Sequence, residues 1–243
     1  MLSLLLRTDP PEMRGARLVQ WCSLFGVADG TARVALSRMV ERGELRARDG
    51  SYALAGRIER RRGSQDFSLA PRLGRWNGTW RTGIVRASAR AAADRTELRD
   101  AMRLLHYAEL REGVWTRPDN LPVDAATAEA HATASEQCQW WTGRPDDDAA
   151  ALAARLFSTE VWATRAERLQ RRLARATAAL PHDDALAPAF VAGAEVVAHL
   201  RSDPLLPPRL GPTARAGDAL RAGYRDFERA FATALRAWFR AHA

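Results

Sequence analysis

The stretch "TARVALSRMVERGEL", residues 31–45, decides how the first third of this chain folds. Ala32, Ala35, Leu36, Met39 and Val40 recur at helical spacing and define one apolar side. Thr31, Val34, Ser37, Arg38 and Glu41 point the other way, with Arg33 on the flank. Gly43 is placed to close this helix, and Asp29 offers it an N-cap. Just upstream, Leu18, Trp21, Cys22 and Phe25 fall at i, i+3, i+4 and i+7 in a helix over 14–25, and Gly26 ends it. Two helices joined by a short turn containing glycine predict a helix-turn-helix. Downstream, "ELRARDGSYALAG" (44–56) alternates apolar and polar residues around Asp49-Gly50, a strong hairpin signal. A short apolar helix over 2–8, ended by "DPP", precedes all of this. Helix, helix, helix and basic hairpin is the order of a winged helix.

Charge points the same way. The 243 residues carry a formal net charge of +8, and every cation is arginine. The absence of lysine has a plain source in a GC-rich genome. The distribution says more: residues 1–75 hold 14 Arg against 8 acids, and the remaining 168 hold 23 against 21. Attraction to a polyanion therefore belongs to the N-terminal third. A helix lying in a major groove would present Thr31, Arg33, Ser37 and Arg38 to bases or phosphates. Arg42, Arg46 and Arg48 are better placed for phosphates. The run "GRIERRRGSQDFSL" (56–69) is basic, lacks an apolar stripe and reads as a linker that could add phosphate contacts.

The middle of the chain reads as a small α+β domain. "TWRTGIV" (79–85) predicts a strand, 90–105 a helix, "REGVWTRP" (111–118) a strand, 124–131 a helix and "CQWWTG" (138–143) a strand. From Asp146 the chain is Ala-rich and helical. Helices are expected within 156–180 and over 184–201 and 215–241, and Asp146–Asp148 cap and charge a helix start. In the last helix Leu220, Tyr224, Phe227, Phe231, Ala234 and Trp238 form a stripe for a core or a dimer seam. The expected fold class is α+β with three parts: a winged helix with its basic linker (1–66), a ferredoxin-like central domain (67–145) and a helical C-terminal domain (146–243).

Two cysteines, Cys22 and Cys138, give neither a metal spacing nor a disulfide framework. No apolar run approaches the ~18 residues of a membrane span, and "MLSLLL" is too short for a signal peptide. A cytoplasmic protein with no membrane partner and no cofactor is expected. No Walker loop and no nucleophile elbow is present, and catalysis is not expected.

Four segments, in order, resemble the PaaX family of bacterial transcriptional repressors. "LFGVADGTARVALSRMVERGEL" is similar to its helix-turn-helix, "WNGTWRTGIV" to the Trp-rich first strand of its central domain, and "GVWTRPDNL" to the strand and turn that follow. "HLRSDPLLP" (199–207) resembles its His-Leu…Asp-Pro-x-Leu-Pro segment. The resemblance implies a homodimer on a double-stranded DNA operator, released by an aryl-CoA thioester such as phenylacetyl-CoA. Such an effector needs cations for its phosphates and an apolar slot for its acyl group. Trp115, Arg117, Trp140, Trp141, His199 and Arg201 are available for it. Two alternatives remain: a DNA-binding protein with no effector, and a metal-dependent nuclease of the kind that shares the central fold. The nuclease would need an acid at the end of the first central strand, where this chain has Arg86.

Overall fold

The computed structural model describes residues 1–8, 10–86, 91–182 and 184–242, with side chains for all of these except 57, 60–62, 64 and 126. The chain opens with α1 (Leu2–Leu5), β1 (Glu12–Arg14), α2 (Gly15–Ser23), α3 (Asp29–Glu41), β2 (Leu45–Arg48), β3 (Ser51–Leu54) and α4 (Gly56–Leu69). The β2–β3 hairpin turns on Asp49 (φ 49°) and Gly50 (φ 75°), the pair of left-handed residues that a two-residue turn of this hand requires. Gly43 (φ 67°) closes α3, with its N–H on the Val40 carbonyl and the Glu44 N–H on the Met39 carbonyl.

Four expectations are corrected here. The first helix is shorter than 2–8. The cap of α3 is Ala28, which makes no side-chain bond; Asp29 sits inside the first turn, where its charge complements the helix dipole. The hairpin gains a third strand, because β1 pairs antiparallel with β3 and gives the order β1-β3-β2. Residues 56–69 are no loose linker but a 14-residue helix. Arg, Glu and Gln are good helix formers without an apolar stripe, and Phe67 and Ser68 at its end are buried.

The central elements are β4 (Trp80–Val85), α5 (Ala92–Leu104), β5 (Ala108–Arg111), β6 (Val114–Pro118), α6 (Ala128–Gln137) and β7 (Cys138–Gly143). Their sheet runs β5-β6-β4-β7 with every pair antiparallel, the order of a ferredoxin-like βαββαβ unit. The expected strand over 111–118 is a hairpin instead: β5 and β6 meet across Glu112 and Gly113 (φ 72°). Helices α5 and α6 cover one face with Leu98, Met102, Leu105, Ala130 and Ala134, closed by Tyr107, Trp115 and Cys138. Position 90, expected in the α5 segment, lies outside the described residues, as does Asp9 of "DPP".

The rest is helical: α7 (Ala149–Phe157), α8 (Thr159–Ala179), α9 (Leu186–Leu200) and α10 (Thr213–Ala241). Asp148 caps α7, its Oδ1 accepting the Ala151 N–H at 2.7 Å. By internal packing the chain divides into two compact units. One comprises 1–66, 171–197 and 223–243; the other comprises 67–170 and 198–222.

In the first unit, Leu18 and Trp21 of α2 and Ala32 and Leu36 of α3 are buried, and the Trp21 ring meets Phe190 and Phe231 edge-on at 4.9 and 6.2 Å. Phe25, expected on the same stripe, is 40% exposed. The guanidinium of Arg7 lies over the rings of Phe190, Tyr224, Phe227 and Phe231 at 5.1–6.0 Å, and its Nε donates to the Tyr224 hydroxyl at 2.9 Å. Gly193 makes room for it. A Cβ there would stand 2.5 Å from Phe227 Cε1 and 2.8 Å from Arg7 Nη2. The buried stripe of α10 is Leu220, Tyr224, Phe227, Phe231, Leu235 and Phe239, so after Phe231 it moves one residue beyond the expected Ala234 and Trp238. A straight helix turns 100° per residue, so each of these steps of four carries the buried stripe about 40° further round the helix.

Candidate nucleic-acid interface

Burial splits α3 into two sides. Ala32 and Leu36 face inward, while Thr31, Arg33, Val34, Ser37, Arg38 and Glu41 are exposed. Arg42 is exposed at the end of the helix, and Arg46 and Arg48 on the hairpin. The structure therefore brings the four helix candidates onto one open side and leaves all seven proposed DNA contacts accessible to solvent. The Ser37 hydroxyl donates back to the Arg33 carbonyl at 3.3 Å. Arg46 and Arg48 make exposed ion pairs with Glu59 (4.0 Å) and Asp49 (3.5 Å), weak enough to yield to a phosphate. The side chains of Arg57 and Arg60–Arg62, read as additional phosphate contacts, lie outside the described residues.

The six residues read as effector contacts are dispersed. Trp115 is buried in the central core, and Trp140 covers Gly83, where a Cβ would meet its ring at 2.9 Å. Trp141 is 58% exposed on β7, and Arg201 is exposed beyond α9. Arg117 is buried: its Nη1 donates to the Leu105 and His106 carbonyls at the end of α5, and its Nη2 donates to Asn120 Oδ1 at 2.9 Å. Burial lowers its pKa to about 10, still far above neutrality. His199 stacks on Trp162 at 4.4 Å, hydrogen-bonds the Trp162 carbonyl through Nε2, and is held below the usual histidine range by burial.

Arg117 belongs to a buried polar framework. Arg221 donates through Nη2 to Asp203 Oδ2 at 2.7 Å and through Nε to the Ser68 carbonyl at 2.9 Å. Asp203 accepts the Leu205 N–H at 2.9 Å, and the Leu205 carbonyl accepts from Asn120 Nδ2 at 2.9 Å. Burial raises the Asp203 pKa despite the neighbouring Arg221. His106, left-handed at φ 59° where α5 ends, is pushed down to about 3 by burial first and then by the charge of Arg117. The "DPLLP" segment is thus a structural joint. Arg117 and His199 are both buried, which a residue's type and spacing do not reveal.

Among the described residues no group of His, Cys, Asp and Glu could hold a metal ion. The two cysteines are buried and form no disulfide. No helix among the described residues is long and apolar enough to cross a membrane.

Residues 1–58 match a family model described as a PaaX-like protein. Residues 73–153 match one described as the PaaX protein central Cas2-like domain. The chain is similar to a solved structure described as the uncharacterized protein Rv0674 from Mycobacterium tuberculosis, with 35% identity and a TM-score of 0.74, covering 98% of this chain and 96% of that one. No curated protein matches. With a winged helix, a ferredoxin-like sheet and a relative alike over nearly the whole length, the chain belongs to the PaaX family of transcriptional regulators.

Proposed function

We propose that the chain is a cytoplasmic DNA-binding repressor that works by binding, not catalysis. It places α3 in a major groove and rests its hairpin on the flanking phosphates. One observation carries this reading: α3 is anchored by Ala32 and Leu36, while Arg33, Ser37 and Arg38 are exposed on its outer side. The major groove admits a helix, and an arginine on guanine O6 and N7 contributes roughly 1–3 kcal/mol of discrimination. In this reading residues 1–66 read DNA, 67–145 form the central domain and 146–243 the helical one.

A single reader of this size binds weakly, so the active form is a homodimer on two half-sites about one turn apart, roughly 34 Å. The effector is an aromatic acyl-CoA such as phenylacetyl-CoA, by family membership. It releases DNA by binding more tightly to the form unfit for the operator. The test is selection of fragments from random duplexes by the purified chain, followed by footprinting. A near-palindromic protected site is expected; recovery of unrelated fragments with no common sequence would refute the reading. Thermal shift with a panel of acyl-CoA thioesters tests the effector, and no stabilisation by any would leave a regulator without one.

A further inference from the structure

The end of β4 carries a second arginine cluster, outside the winged helix. The strand finishes at Ile84 and Val85 and Arg86 follows it, with the Val85 N–H on the Gly113 carbonyl at 2.9 Å. This brings the β5–β6 turn beside the strand end. Pairing there is irregular: Glu109 faces Trp115 and Arg111 faces Val114, so Leu110 is an extra residue on β5. On α5, Arg95 and Arg99 are one turn apart on one side of the helix. Between these elements lies a cavity of about 740 Å³. Arg86, Arg95, Arg99 and Arg111 line it together with Glu109 and Glu112, and its apolar wall is Ile84, Val85, Leu98, Val114 and Trp115.

Four cations against two carboxylates leave an excess of positive charge in a concave site, where the field of several like charges adds. Among the described residues no ion pair engages Arg86, Arg99 or Arg111. One oxygen of Glu109 accepts the Gly113 N–H at 3.3 Å, and no bond among the described residues engages its other oxygen. We propose that this cavity binds a small molecule carrying a nucleotide. The arginines take its phosphates in forked hydrogen bonds. The glutamates accept from ribose hydroxyls or an exocyclic amine, and the apolar wall covers the base or an attached chain. A duplex fits less well, since Glu109 and Glu112 would repel its phosphodiester chain and the site is a pocket of ligand size, not a groove-tracking ridge. Free nucleotides and coenzyme A thioesters share this chemistry. The proposal deepens the effector reading, on which its thioester arm rests; it does not depend on the DNA reading.

The experiment is calorimetric titration of the full chain at low salt with ADP, coenzyme A and inorganic pyrophosphate. ADP or coenzyme A should bind at submillimolar concentration and more tightly than pyrophosphate. Arg86→Ala combined with Arg99→Ala should weaken that binding by at least tenfold while leaving the melting temperature and affinity for the selected duplex unchanged. Coenzyme A tighter than ADP by tenfold identifies the thioester as the source; equal affinities identify a free nucleotide. If the double variant melts early, Arg111→Ala takes its place in the same titration. Binding by neither nucleotide overturns the proposal, as does pyrophosphate binding as well as either of them. A variant that weakens duplex binding and spares the nucleotide also overturns it, and makes the cluster a DNA contact.

Discussion

Two sets of arginines do opposite work in this molecule. Arg33, Arg38, Arg42, Arg46 and Arg48 stand in solvent on α3 and the hairpin, with little to hold them. Arg117 and Arg221 are 2% and 5% exposed and donate to carbonyls and a carboxylate inside the second unit. The same side chain is a surface charge in one region and a structural fork in the other. Counting arginines measures attraction to a polyanion only after the inner ones are set aside. The difference also says where substitutions should be felt: inner arginines hold the fold, and outer ones have no fold to hold.

The widest gap between the two sets comes from Arg221→Ala. It leaves Asp203 buried without its partner, a loss of about 3–5 kcal/mol. Urea denaturation should show it, and Asp203→Asn with Arg221→Met should recover much of the difference. A cost below about 1 kcal/mol would mean that the inner set is ornamental. Next comes Arg38→Ala, expected to cost about 1–3 kcal/mol of base discrimination at one operator position and no more than about 0.5 kcal/mol of stability. An unchanged base preference would put Arg38 outside the reading face.

The third measurement uses pH. The folded-state pKa of His106 is about 3, so on acidification the unfolded chain takes up its proton first, from about pH 6.5 downward. The stability held by neutral His106 is complete above that pH and is lost progressively toward pH 3, by up to about 2 kcal/mol between pH 7 and pH 5. His106→Asn suits the left-handed backbone and should flatten that slope; an equally steep profile would show that the proton goes elsewhere. The smallest effect is that of Arg48→Ala, which should weaken all duplexes alike and lower the salt slope by about one unit. An intact slope would remove the hairpin from the phosphate contacts.

Local patterns made the reader legible. The 3.6-residue period, the closing glycines at 26 and 43 and the Asp49-Gly50 turn act within a few residues of themselves, and each reappears in the structure. What the sequence hid is held from a distance. Strand β1 is three residues long and exists because β3, some 40 positions later, pairs with it. Helix α4 has no apolar stripe to announce it. The joint of Arg117, Asn120, Asp203, Leu205 and Arg221 joins residues up to about a hundred positions apart, and nothing in its spacing separates a buried fork from a ligand clamp. The cluster at Arg86, Arg95, Arg99 and Arg111 was half visible: Arg95 and Arg99 share a helix side by spacing, but only the sheet order brings Arg86 and Arg111 to them.

The empty place at Gly193 has a consequence for inheritance. One added methyl would press on Phe227 and Arg7 at distances that packed atoms do not tolerate. The ring or the guanidinium would have to leave, and the opening residues would lose their socket among the aromatics of α9 and α10. A change that alters neither charge nor any proposed DNA contact could thus silence the regulator, and screens for loss of regulation should recover lesions at this position, outside α3 and the hairpin.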